Sequence, residues 1–113
     1  MKKLVIHIFH VHDNCAITGT KLAERIYHAG YRGVTLELFI FGAAIGALVD
    51  PAQKDYRDAL AALAKQGLPV NVCRQTVETM GQADALKAEG FGLEYASDAF
   101  IRFALEGATV ISL

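Results

Sequence analysis

Two segments of the chain are apolar almost without a break, and they decide what it can fold into. Leu4-Val5-Ile6-His7-Ile8-Phe9 and Val34-Thr35-Leu36-Glu37-Leu38-Phe39-Ile40-Phe41 are short and rich in branched and aromatic residues. A strand with one face in water alternates apolar and polar side chains. A strand buried on both faces does not, and such strands belong to parallel sheets covered by helices. Further strands are expected over 69–73, 91–95 and 109–113. Between them lie helical patterns: Ala16, Leu22, Ala23, Ile26 and Tyr27, stopped by Gly30 and Gly33; a short turn over 43–48 after Gly42; a long helix opened by Asp50-Pro51 with the stripe Tyr56, Leu60, Leu63 and Ala64, closed by Gly67. Helical runs over 74–80 and 83–89 and a last helix capped by Ser97 or Asp98 complete the series. Asp13 or Asn14 is expected to cap the first helix. Strands alternating with helices imply right-handed crossovers and a three-layer α/β/α sandwich. With 113 residues and no linker or repeat, residues 1–113 make a single domain.

At 53% hydrophobic and 20% charged, the chain exceeds the roughly 45–50% apolar share of an ordinary soluble domain. A small domain has little interior to hide that surplus, so a homo-oligomer is expected. The formal net charge is −1, the pI is about 6.4, and no Lys/Arg run occurs, which argues against a nucleic-acid partner. No apolar stretch approaches the roughly 18 residues of a membrane span. The opening Lys2-Lys3 and apolar run are short, interrupted by His7 and His10, and followed by no small-residue cleavage motif, so they read as a strand and not a secretion signal. The two cysteines, Cys15 and Cys73, form no CxxC pair and point to a reducing, cytoplasmic setting.

In an open α/β sheet, ligands and reactive groups gather at the carboxyl ends of the strands. Cys73 closes one strand and begins a helix, where unpaired N–H groups and the helix dipole favour a thiolate, with Arg74 beside it. Thr76, three residues on, completes Cys-Arg-Gln-Thr, a redox-type motif with its second cysteine replaced by a hydroxyl donor to the sulfur. Such a site holds a persulfide or mixed disulfide but cannot close its own. The competing reading is a buried, inert cysteine. In His10-Val11-His12-Asp13-Asn14-Cys15, the two histidines share a side of an extended backbone. With no second compact cluster to complete about four ligands, they read as neighbours tuning Cys73 and not as a metal site. His7 reads as a satisfied core histidine and His28 as a solvated helix end. Glu37, mid-strand, is expensive to bury unpaired, and a structural or interface role is expected over acid/base work. No phosphate-binding glycine pattern occurs, and no cofactor is expected.

The chain resembles the DsrE/DsrF-like family of small sulfur-relay proteins, which includes the TusD-type subunits. The resemblance rests on Val5-Ile6-His7-Ile8, on Val34 to Gly42 with the small apolar turn after it, on Tyr56, on Gly67-Leu68-Pro69-Val70-Asn71-Val72-Cys73 with its following helix ending at Gly81, and on Gly107-Ala108-Thr109-Val110-Ile111. It departs at Gln82-Ala83-Asp84, where an apolar residue is usual, and at Ser97, where a glycine is common. The resemblance implies a five-stranded parallel sheet, assembly into trimers or hexamers, and a Cys73 that accepts sulfane sulfur from a donor protein as a persulfide and passes it to an acceptor protein. The residues themselves, and not the resemblance, offer Arg74, Thr76, His10 and His12 as supports for that thiol. The rival expectation is a non-catalytic oligomeric binding or scaffold domain with a structural Cys73.

Overall fold

The computed structural model describes residues 2–11 and 14–113, Tyr31 by its backbone alone. Five strands are present among them: β1 (Lys2–Ile8), β2 (Val34–Ile40), β3 (Val70–Cys73), β4 (Gly92–Glu94) and β5 (Thr109–Ser112). Six helices join them: α1 (Cys15–His28), α2 (Ala43–Val49), α3 (Lys54–Lys65), α4 (Arg74–Thr79), α5 (Ala83–Ala88) and α6 (Ala96–Leu105). All four strand pairings are parallel, in the order β4-β3-β2-β1-β5.

That order explains the layers. From β1 to β4 the chain steps three times in one direction, and right-handed crossovers then place α1 to α5 on one face of the sheet. The step from β4 to β5 runs back across the whole sheet, so α6 lands alone on the other face. The first face carries the apolar core: Ile6, Ile8, Leu36, Leu38, Ile40, Val70 and Val72 are buried there. Gly19 lets α1 lie close to it, since a Cβ at that position would come 2.9 Å from Ile8 Cγ1.

The second face carries the polar residues. Residues two apart along a strand share a face. The register sets Val5 beside Glu37, His7 beside Phe39 and Ser112, Asn71 beside Gly92, and Cys73 beside Glu94. Phe100 and Phe103 of α6 pack on Phe39, with ring centroids 5.7 and 6.1 Å apart. Edge strand β5 is exposed along its length.

Several local expectations need correction. Asn14 begins α1 in a left-handed conformation (φ 59°) with no side-chain cap, and Asp13 lies outside the described residues. Pro51 opens a separate 3-10 turn, Pro51–Gln53, which Asp50 caps by accepting from Ala52 N–H at 3.0 Å. Neither Ser97 nor Asp98 caps α6. The helix starts at Ala96, directly after β4, with Tyr95 at its N-cap and no side-chain hydrogen bond there.

Candidate functional site at the carboxyl edge of the sheet

Cys73 is the last residue of β3 and the N-cap of α4, as its sequence position requires. Its side chain is on the face that α6 covers, and the residue is only 4% exposed. A carrier role needs a reachable sulfur, and in this conformation the residue is closed off. The helix behind it is also short, six residues from Arg74 to Thr79, which limits the dipole at its start.

The proposed helpers are not gathered around the sulfur. Arg74 is exposed. Its Nε pairs with Glu78 at 3.3 Å, and its guanidinium carbon lies 5.6 Å from the centre of the Tyr95 ring. Thr76 is half-buried, and among the described residues its hydroxyl makes no hydrogen bond to Cys73. His10 follows β1, while Cys73 ends β3. With β2 between them, their strand ends are about 10 Å apart. His10 instead packs edge-on against Phe9 at 4.7 Å. His12 lies outside the described residues. Cys15 is a half-buried free thiol at the start of α1. No group of three His, Cys, Asp or Glu side chains suited to a metal occurs among the described residues.

His7 stands between the rings of Phe9, Phe39, Phe41 and Phe100, with centroids 5.0 to 6.4 Å away. Its Nδ1 lies 3.1 Å from the Ser112 hydroxyl, whereas its buried Nε2 has no hydrogen-bond partner. The expectation of a satisfied core histidine holds for one nitrogen. Burial, and then the nearby His10, pushes its pKa below the ordinary histidine value.

Glu37 is 3% exposed and tied on all sides. Lys3 Nζ lies 2.6 Å from Oε1, Arg102 donates from Nη1 and Nη2 at 3.0 and 2.5 Å, and Asn71 donates at 3.3 Å. Arg102 also bonds Glu94 and Glu106. Burial alone would raise the Glu37 carboxyl. The hydrogen bonds and charges of Arg102 and Lys3 outweigh it and hold the carboxyl below the usual range. This saturated carboxylate has no lone pair to spare for a substrate, so it clamps α6 to the sheet. The sequence flagged Glu37 but gave no sign of Arg102, which lies 65 residues away. A cavity of about 550 Å³ opens beside Lys3, Glu37, Pro69 and Glu106 at the amino edge of the sheet, the end opposite Cys73.

No family model matches the chain, and no curated protein does. Solved structures do. A conserved protein of unknown function, BT1422 from Bacteroides thetaiotaomicron, superposes with a TM-score of 0.82 at 15% identity, over 99% of this chain and 95% of that one. MTH1491 from Methanobacterium thermoautotrophicum, also of unknown function, gives 0.76 at 21% identity over both full chains. The ychN protein from E. coli gives 0.69 at 18% identity, again over both full chains. At these identities the likeness establishes the α/β fold and its extent.

Proposed function

We propose that the chain is a sulfur carrier of the DsrE-like kind, which holds sulfane sulfur as a persulfide on Cys73 and hands it to a partner protein. The observation that carries this reading is the position of Cys73, at the carboxyl end of an inner strand where the chain turns into a helix. The motif resemblance around that cysteine supports it. In the forward step the Cys73 thiolate attacks the outer sulfur of a donor persulfide. A new S–S bond forms at Cys73, the donor S–S bond breaks, and the donor leaves as a thiolate. An acceptor thiolate then repeats the exchange on Cys73-S-SH.

Because Cys73 is 4% exposed, the exchange takes place only when the edge opens. Arg74, next to Cys73 in the chain, holds its guanidinium carbon 5.6 Å from the centre of the Tyr95 ring, a contact between the starts of α4 and α6 beside that edge. A homo-oligomer belongs to the same proposal: Ile101 and Leu105, 60% and 83% exposed on the outer side of α6, are apolar surface that a second copy would cover. A cytoplasmic setting, in which both thiols stay reduced, completes it. Among the described residues no helix is long and apolar enough to cross a membrane.

One observation favours a second reading. The same burial of Cys73 suits a packed, structural cysteine in a non-catalytic oligomeric binding domain. Incubation with a low-molecular-weight persulfide donor, read by intact mass, separates the two. The carrier gains the mass of one sulfur, and Cys73→Ala gains none. A wild-type protein that gains nothing, or a gain that survives Cys73→Ala, leaves the packed-cysteine reading.

A further inference from the structure

We propose that Ser112 is an acyl-accepting nucleophile with His7 as its general base, a second reactive site separate from Cys73. The Ser112 side chain is on an exposed edge strand, yet its hydroxyl is 3.1 Å from Nδ1 of a histidine that is only 8% exposed. A hydroxyl within hydrogen-bond reach of a fixed imidazole is the arrangement that activates serine. The ring cannot swing away, because Phe9, Phe39, Phe41 and Phe100 enclose it.

The tautomer follows from the same surroundings. Nε2 is buried without a hydrogen-bond partner, and Phe100 packs perpendicular to the imidazole at 5.0 Å and 84°. An aromatic face is a weak acceptor for an N–H, so this packing accommodates the Nε2–H tautomer. Nδ1 is then the acceptor and Ser112 the donor, as a general base requires. The groups packed on the ring are otherwise aromatic, and His10 is its titratable neighbour. Burial keeps the imidazole neutral through the neutral range, so the base is in its working form there.

The strand edge supplies the rest. The Leu113 N–H points inward to the His7 carbonyl at 2.8 Å, so alternation along β5 turns the Ser112 N–H outward, where it can donate to an oxyanion. Val110, on the same face two residues earlier and 37% exposed, offers an apolar seat for a short acyl chain. The chemical class that fits is a small activated ester or thioester. Ser112 Oγ attacks its carbonyl carbon, His7 Nδ1 takes the hydroxyl proton, the C–O or C–S bond breaks, and the leaving group departs with that proton. The product is an O-acyl serine.

The test uses p-nitrophenyl acetate on the whole protein, with peptide mapping of acetylated serines. Ser97, also exposed and on no histidine, is the internal reference. Acetylation of Ser112 is expected to run roughly a hundredfold faster than that of Ser97. Ser112→Ala, a change on an exposed strand, removes the label. His7→Phe, which suits the aromatic surroundings, brings Ser112 down to the rate of Ser97. If His7→Phe does not fold, the wild-type pH profile decides: base catalysis by His7, whose pKa burial holds below the ordinary histidine value, keeps the rate level from about pH 8 to 6.5. Equal labelling of Ser112 and Ser97, a His7→Phe rate equal to wild type, or a rate that follows hydroxide through pH 6.5 to 8 overturns the assignment.

Discussion

Arg102 and Glu37 meet as a two-pronged pair, Nη1 to Oε1 at 3.0 Å and Nη2 to Oε2 at 2.5 Å, and through that pair the lone helix on one side of the sheet is fastened to an inner strand. Arg102→Leu leaves the buried Glu37 with Lys3 and Asn71 alone. Because Arg102 is partly exposed and Glu37 keeps Lys3, losing the arginine costs about 1–3 kcal/mol, less than stripping a fully buried ion, whereas replacing both partners with apolar groups is closer to neutral. Arg102→Leu should therefore lower the urea midpoint sharply, and Arg102→Leu with Glu37→Leu should recover most of the loss. Denaturation curves of the two single variants and the double variant check this.

The acid limb of stability has two origins with different windows. Glu37 is held below its ordinary value, so its contribution is full above about pH 4.5 and is lost as pH falls through the lower folded value. His7 is also held below its ordinary value. The unfolded chain takes up the proton first, so stability starts to fall once pH drops below about 6.5. Urea midpoints from about pH 7 to 2.5 should decline in two stages. His7→Phe should flatten the upper one and leave the lower intact.

Tyr56 hides its hydroxyl in the packing of α3 without a hydrogen-bond partner, and burial pushes its pKa up. An unsatisfied buried hydroxyl costs about 1–3 kcal/mol relative to an apolar group of the same shape. Tyr56→Phe should raise stability by about 1 kcal/mol, seen as a higher urea midpoint at constant slope.

Gly42, just past β2, has φ +64°, and a Cβ there would come 2.6 Å from the Phe9 ring. Gly42→Ala meets both backbone strain and a clash, and should cost about 2 kcal/mol. The same change at Gly46, where no atom lies within 4 Å of the new Cβ, should cost nothing or stabilise. Thermal melts of the two variants make the comparison.

The strands and their order of alternation with helices were legible because their signals are local: apolar runs set the strands, and glycines at positive φ, such as Gly67 and Gly81, end the helices. The misreadings are local as well. Cap-type residues at 14, 97 and 98 were expected to cap, but the chain enters α1 through a left-handed Asn14 and enters α6 straight from β4 at Ala96. What could not be read is what depends on the return crossover. That step brings Arg102 onto Glu37 and lays α6 on the face of the sheet that also carries Cys73, and no spacing in the sequence encodes either placement. Glu37 was visible as a charge in an apolar strand, whereas its partner was one arginine among several.

Whether Cys73 can react turns on how its edge opens, and native-state alkylation measures that directly. With iodoacetamide in excess and Cys15, half-buried, as the internal reference, labelling of Cys73 is followed in wild type and in Tyr56→Phe. A sulfur carrier opens locally, so Cys73 labels well faster than global unfolding and at the same rate in both proteins. If Cys73 reacts only as fast as the whole chain unfolds, and slows when the chain is stabilised, the thiol is packing and the carrier role is contradicted.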